Sequence, residues 1–320
     1  HKGSQMAPGY SYNYCGGNAQ YGNVPIETLL ENCLLPYESD TYYYGSLAEP
    51  LSCVIGTFHA MYHTKPGSYV HEMGIRDGGK TAIIAGLGPM GLGAIDYAIH
   101  CDRKPGLLVV TDINQERLDR AASLFPPEQV KEECGVELHF VNTGTLEDPV
   151  GELRAITGGK GYDDVLCYAP VAAVIEQSSA ILGRDGCLNF FAGPTDQKLM
   201  ASFNFYNVHY KQHHVSGTSG STLEDMQDIV RLIGERRIDP AVMITHIGGM
   251  DAAIDTTVHL PQIPGGKKLI YTHIDLPLTA IADFTALGET DDRFKALDTL
   301  VKQNNGLWSA EAEAYLLENF

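Results

Sequence analysis

Three glycines in Gly86-Leu87-Gly88-Pro89-Met90-Gly91 stand at G-x-G-x-x-G spacing, directly after the short apolar run Thr81-Ala-Ile-Ile-Ala85. Residues of that type and spacing can hold a pyrophosphate. Gly86 permits a tight turn, Gly88 lets the backbone approach the anion, and Gly91 lets the following helix pack closely on the strand. The start of that helix adds unpaired N–H groups and the positive end of a dipole, both favourable to negative charge. Asp112 closes the next apolar run, 21 residues after Gly91, where a carboxylate can accept from the ribose hydroxyls of an adenine dinucleotide. Glycine turns are common, so the spacing alone is weak. A strand before it, a helix after it and an acid ending the next strand make it specific.

Other candidates carry less. His59 and His63 are four apart and can share a helix face as metal ligands do, but no third ligand lies nearby, so packed or solvated histidines are the better reading. His213 and His214 would point to opposite sides of a strand and so would not ligate one metal. Tyr42-Tyr43-Tyr44 reads as packing rather than an aromatic substrate box. Gly217 to Thr222 is a glycine- and hydroxyl-rich turn that can either hold an anion on backbone N–H groups or simply cap the next helix. No Tyr is followed by Lys four residues later, and no G-x-S-x-G is present, which excludes a Tyr-Lys reductase pair and a serine-hydrolase elbow.

These residues need elements to position them. Leu107–Thr111, Val165–Tyr168 and Cys187–Ala192 read as further buried strands, the last preceded by a turn at Arg184-Asp185-Gly186. Helical spacing runs through Ala94, Tyr97 and Ala98, through 116–124 and through 222–237. Short buried strands alternating with helices imply an α/β fold, a doubly wound parallel sheet with helices on both faces. Residues 1–50 read as β-rich, with Tyr10, Tyr12 and Tyr14 alternating in a half-buried strand. Lys268–Thr272 reads as a closing strand. Two tail helices follow, the first striped by Phe294, Leu297, Leu300 and Val301, the second capped by Ser309.

Length and charge bound the rest. The 320 residues suggest two domains. A net charge of -18, from 22 basic and 40 acidic residues, argues against nucleic-acid and anionic-membrane partners. The longest apolar uncharged stretch, Thr81–Ile95, is too short to span a bilayer. The seven cysteines are scattered and never form C-x-x-C, so neither a disulfide framework nor a four-cysteine zinc lobe is supported.

The motifs together resemble the medium-chain, zinc-type alcohol and polyol dehydrogenases. Cys15-Gly-Gly-Asn-Ala-Gln-Tyr21 is similar to that family's GGxAEY, with Gln20 for Glu. Ala48-Glu49-Pro50-Leu51 is similar to its EPL, and Gly78-Gly79-Lys80-Thr81 through Gly91 to its cofactor strand and loop. Ile181–Gly186 through Gly193 and Thr245-His246 with Gly266-Lys267 match in the same order. Gly9–Tyr14, Leu188–Thr195, Phe203–Tyr210 and Ile263–Tyr271 resemble members that act on phosphorylated ketoses, and so does the tail from Pro277.

The resemblance implies a Rossmann doubly wound domain over 56–220. Residues 1–55 with 221–320 would form a smaller, β-rich GroES-like catalytic domain, incomplete here because the family's Cys and His-Glu zinc ligands lie in a region not in this chain. Glu49 is the one residue present that the resemblance associates with the zinc or its water, as metal-site and catalytic residue. It further implies hydride transfer between NAD(H), with NADP(H) left open, and a sugar phosphate or polyol, assisted by Zn2+ in the intact protein. Gly86, Gly88, Met90 and Gly91 would hold the pyrophosphate, Asp112 and Arg117 the ribose. Phe191, Ala192, Gly193, Gly217 and Thr218 would line the crevice at the strand ends. A cytoplasmic homo-oligomer is expected. An unphosphorylated-polyol enzyme, a zinc-free quinone-reductase type and a non-catalytic nucleotide-binding protein remain open alternatives.

Overall fold

The structure is a computed structural model, and it describes residues 15–37 and 39–320. In chain order the elements are α1 (Ile26–Leu30), α2 (Tyr42–His59), β1 (Tyr62–Thr64), β2 (His71–Met73), β3 (Lys80–Ile84), α3 (Pro89–His100), β4 (Leu107–Asp112), α4 (Gln115–Leu124), α5 (Pro127–Cys134) and β5 (Glu137–Asn142). Then come α6 (Pro149–Ile156), β6 (Tyr162–Cys167), α7 (Ala172–Ala180), β7 (Leu182–Phe190), α8 (Phe205–Lys211), β8 (His214–Gly217) and α9 (Leu223–Gly234). The last are β9 (Ile244–Gly249), α10 (Ala253–Val258), β10 (Lys267–Tyr271), β11 (Thr279–Ala280), α11 (Phe284–Leu287), α12 (Asp292–Gln303) and α13 (Ala310–Asn319).

The chain divides into two compact units, Ser46–Pro240 and residues 1–45 with Ala241–Phe320. The first is built on six parallel strands in the order β5-β4-β3-β6-β7-β8. The chain walks outward from β3 to β5, then returns to β6 beside β3 and walks the other way. That reversal opens a crevice at the carboxyl ends of β3 and β6. The central strands are apolar on both faces because helices cover both. Ala82, Ile83, Val109, Val110, Val165 and Leu166 are all fully buried. Helix α3 is buried continuously from Gly91 to Ile99 and so runs as a nearly uninterrupted apolar stretch.

Asp185, expected in a turn before a strand, lies inside β7. The pairing of β6 and β7 slips between Tyr162/Leu182 and Asp164/Cys187, and the residues bulged out include Asp185 at φ 58°. The Arg-Asp-Gly signal marks a bulge rather than the strand's beginning.

For the described residues of 15–50 the β-rich expectation is corrected. The described part of that segment holds no strand, only α1 and the start of α2. Tyr43, Leu47, Leu51, Val54, Ile55 and Phe58 are buried at helical spacing, so one helix carries the chain through Ala48-Glu49-Pro50-Leu51 with Pro50 inside it. Tyr10, Tyr12 and Tyr14 lie outside the described residues.

The second unit has its own sheet, β10-β9-β11, with β10 parallel and β11 antiparallel to β9. Gly266 N–H donates to Thr245 Oγ1 (2.8 Å), tying the start of β10 to β9. The tail helices bury Phe284, Leu297, Trp308 and Leu316, with the Trp308 indole against Tyr271 of β10. Ser309 caps α13 by accepting from Ala312 N–H, as its position ahead of the helix predicts. No helix among the described residues is long and apolar enough to cross a membrane.

Candidate active site

At the carboxyl end of β3 the chain turns through Ala85, at φ 55°, into Gly86. The turn is anchored to β4: Gly86 N–H donates to Thr111 O (3.0 Å) and Ala85 N–H to Thr111 Oγ1 (3.2 Å). Helix α3 then starts at Pro89 behind Gly88, with no side chain capping it. A Cβ on Gly91 would lie 1.7 Å from Gly86 O, and one on Gly86 would lie 2.3 Å from Ile83 Cγ2. Both positions demand glycine. At Gly88 a Cβ would meet nothing within 4 Å. That glycine faces open space, which leaves the uncapped helix start accessible to an anion.

Asp112 ends β4 and is only 7% exposed. Its Oδ1 accepts from Ile113 N–H (2.8 Å) and Asn114 N–H (2.9 Å), which fixes the carboxylate at the head of α4. Asn114 in turn caps α4 by accepting from Arg117 N–H (3.1 Å), so exposed Arg117 sits one turn away. Phe191, Ala192 and Gly193 follow β7, with Gly193 at φ 58°. Gly217 ends β8 opposite Phe190, and Thr218 Oγ1 donates to Asn189 Oδ1 (3.3 Å). The glycine loop, Asp112, the Phe191 segment and Gly217-Thr218 therefore share one edge of the sheet.

Two residues at this edge escape sequence reasoning. Tyr168 follows β6, its N–H donates to Ile84 O (3.0 Å), and its ring meets that of Phe191 edge-on at 5.3 Å. Burial pushes its phenol well above the ordinary value, so it stays neutral. Asn189 is fully buried, and its amide donates to Ser216 Oγ (3.2 Å), joining β7 to β8. Tyr168 reads in sequence as the end of an apolar run, and only the switch in strand order gives it a place beside the loop.

Glu49 is exposed on α2, where Ser52, one turn on, donates to Ser221 Oγ (2.8 Å) in the turn that follows β8. Glu49 Oε1 accepts from Cys53 Sγ (3.3 Å). Burial and the Glu49 carboxylate push the Cys53 thiol up to about 11, so in the metal-free protein it is protonated at neutral pH. Among the described residues no three His, Cys, Asp or Glu side chains come together to hold a metal ion. A catalytic zinc needs three protein ligands, so these residues alone do not fit one. His59 and His63 do not share a helix face. His59 ends α2 with Nδ1 at 2.7 Å from Asp225 Oδ1, whereas His63 lies in β1, buried against Asp164 (2.9 Å).

Of the two readings of 217–222, the structure shows the capping one. Thr222 caps α9: its Oγ1 accepts from Asp225 N–H (3.2 Å), and its own N–H donates to Asp225 Oδ2 (2.8 Å). With Glu224 and Asp225 in the first turn, carboxylates already occupy the positive end of that helix.

A doubly wound sheet with a glycine-forced turn at its switch point and an acid one strand over defines a dinucleotide-binding protein of the dehydrogenase type. Residues 89–235 match the family model described as zinc-binding dehydrogenase. The chain is 53% identical over 310 residues to a mannitol-1-phosphate 5-dehydrogenase of Aliivibrio fischeri, covering 97% of this chain and 73% of that one. It is 46% identical over 310 residues to an L-sorbose 1-phosphate reductase of Klebsiella pneumoniae, covering 97% and 72%. Among solved structures, the alcohol dehydrogenase TADH from Thermus sp. ATN1 superposes with a TM-score of 0.64 at 20% identity, over 82% of this chain and 68% of that one. The chain belongs to the zinc-binding dehydrogenase family.

Proposed function

We propose that the protein interconverts a ketose phosphate and a sugar-alcohol phosphate by reversible hydride transfer with NAD(H). The observation that carries the redox part is the Gly91–Gly86 contact, which admits no side chain and sits where a dinucleotide pyrophosphate binds. The substrate class is supported by the printed activities of the two sugar-phosphate relatives. The nicotinamide, when bound, supplies or accepts the hydride. The chain's own residues bind and orient it. Gly86, Gly88, Met90 and Gly91 would receive the pyrophosphate, and Asp112 the ribose, with Arg117 beside it. Phe191, Ala192 and Gly193, with Gly217 and Thr218, would flank the nicotinamide end. Glu49 is assigned to the surroundings of the zinc by family resemblance. In this reading 56–220 is the cofactor domain and 1–55 with 221–320 the catalytic one, in a cytoplasmic homo-oligomer.

The test is steady-state kinetics on the intact protein. L-Sorbose 1-phosphate with NADH, and mannitol 1-phosphate with NAD+, should be turned over with kcat/KM about 100-fold above the free sugar or polyol, the loss expected when a charge-assisted anchor is removed. Free sugars used as well as the phosphates would leave a polyol dehydrogenase instead.

Cofactor choice gives a second prediction. Asp112 would repel a 2′-phosphate, and its neighbours Ile113 and Asn114 bring no cation. NADH should be preferred over NADPH by about tenfold or more in kcat/KM, and Asp112→Ser should narrow that ratio. A preference for NADPH in the unaltered protein would refute the assignment.

A further inference from the structure

At the other end of the sheet, where β6 and β7 begin, a polar cavity of about 750 Å3 opens beside the β1–β2 hairpin. Lys65, Arg76 and Arg184 all line it, three of the chain's 22 basic side chains gathered at one hollow in a molecule of net charge -18. Lys65 and Arg184 are exposed, and among the described residues neither side chain has an ion-pair or hydrogen-bond partner.

The two acids in the lining are already engaged. Arg76 Nε stands 3.2 Å from Asp163 Oδ1, and Arg76 Nη2 donates to Asp185 Oδ2 at 2.8 Å. Asp185 also accepts from Thr64 N–H (3.1 Å) and lies 2.8 Å from His214 Nε2. Burial works to raise its carboxyl, but these hydrogen bonds outweigh it and hold Asp185 below the usual carboxylate range. Behind them His63 and Asp164 form a closed buried pair at 2.9 Å. The acids therefore hold the wall together, and Lys65 and Arg184 are the charges left over.

We propose that this cavity is an anion site that takes the phosphate of a small phosphorylated molecule. Arg184 brings a planar fork suited to two phosphate oxygens, and Lys65 a compact point charge in the same lining. An isolated positive hollow on an acidic protein concentrates anions locally. Tyr69 offers a ring that is 96% exposed, and Gln212 an amide, to the rest of the ligand. The glycine loop follows the far end of β3, about 17 Å away for five residues of strand. A ligand here would not compete with the dinucleotide for that loop.

Isothermal titration of the intact protein, preloaded with NADH and held at constant ionic strength, tests this with inorganic phosphate as the probe. Phosphate should bind, and the Lys65→Ala/Arg184→Ala double variant should weaken it about tenfold or more while NADH affinity is unchanged. Both positions are exposed and unpartnered, so folding should survive. Arg184→Glu is the independent check and should abolish the signal. Fructose 1-phosphate and AMP identify the source of the phosphate: tighter binding of AMP, weakened by Tyr69→Ala, names a nucleotide, and tighter binding of the sugar phosphate names that instead. Phosphate affinity equal in wild type and variants, or no phosphate binding at all, overturns the site.

Discussion

Gly91→Ala is expected to abolish useful cofactor binding and to destabilise the protein. The added Cβ would lie 1.7 Å from Gly86 O and 2.4 Å from Gly86 C. Both atoms are backbone, so no rotamer change relieves the clash, and the loop must lift off α3. Overpacking of this kind costs about 3 kcal/mol or more when the obstacle cannot move. Because the same displacement spoils the turn that faces the pyrophosphate, NADH affinity should fall about 100-fold or more. Gly88→Ala separates the two effects. Its Cβ meets no protein atom within 4 Å, so the melting temperature should hold within about 1 °C. Its methyl would nevertheless occupy space that the dinucleotide needs, and affinity should fall about tenfold. The measurement is NADH fluorescence titration beside thermal unfolding. A Gly91→Ala protein that binds NADH like the wild type would remove the cofactor assignment.

The cofactor end of this molecule is legible in sequence because its determinants are local. The run from Thr81, the three glycines, the helix through Ala94 and Ala98 and the strand ending at Asp112 all lie within 32 residues, each element announced by its own periodicity. The caps at Thr222 and Ser309 are legible for the same reason. A hydroxyl before an amphipathic run needs no distant partner to declare itself, and the tail helices follow from one stripe.

What sequence cannot show is pairing across distance. Asp185 reads as a turn residue because Arg-Asp-Gly is turn chemistry, and nothing local says that Arg76, Thr64 and His214 will converge on its carboxylate. Tyr42-Tyr43-Tyr44 falls in a segment that reads as β-rich, but Leu47, Leu51 and Phe58 impose the helical period once the window is extended past Pro50. Pro50 stands inside that helix, where a proline is disfavoured. The buried side chains of Leu51, Val54, Ile55 and Phe58 beyond it outweigh the lost hydrogen bond. The zinc question is different in kind. Glu49 is found by its motif, but among the described residues no cluster of three ligating side chains forms around it.

The longest-range determinant is Glu313, and removing it should cause the largest loss of stability in its unit. Glu313 is 2% exposed on α13. Its Oε1 accepts from Tyr42 N–H (2.5 Å), while Oε2 accepts from Tyr43 N–H (3.1 Å) and from the Tyr271 hydroxyl (2.7 Å). Tyr271 in turn accepts from Trp308 Nε1 (2.8 Å). One carboxylate thus caps the first turn of a helix 270 residues upstream and anchors a strand and the indole. Glu313→Ala would leave two helix amides and a buried hydroxyl without an acceptor. At about 1–3 kcal/mol per unsatisfied group, partly relieved by water, a loss of about 4 kcal/mol is expected. Glu313→Gln keeps one carbonyl acceptor and should cost about half of that. Trp308 is the sole tryptophan and is fully buried, so its emission reports this cluster directly. Urea unfolding followed at Trp308 should show a lowered midpoint and red-shifted native emission in Glu313→Ala. An unchanged midpoint would mean that the network is ornamental, and that the tail helices are held by Phe284, Leu297 and Leu316 alone.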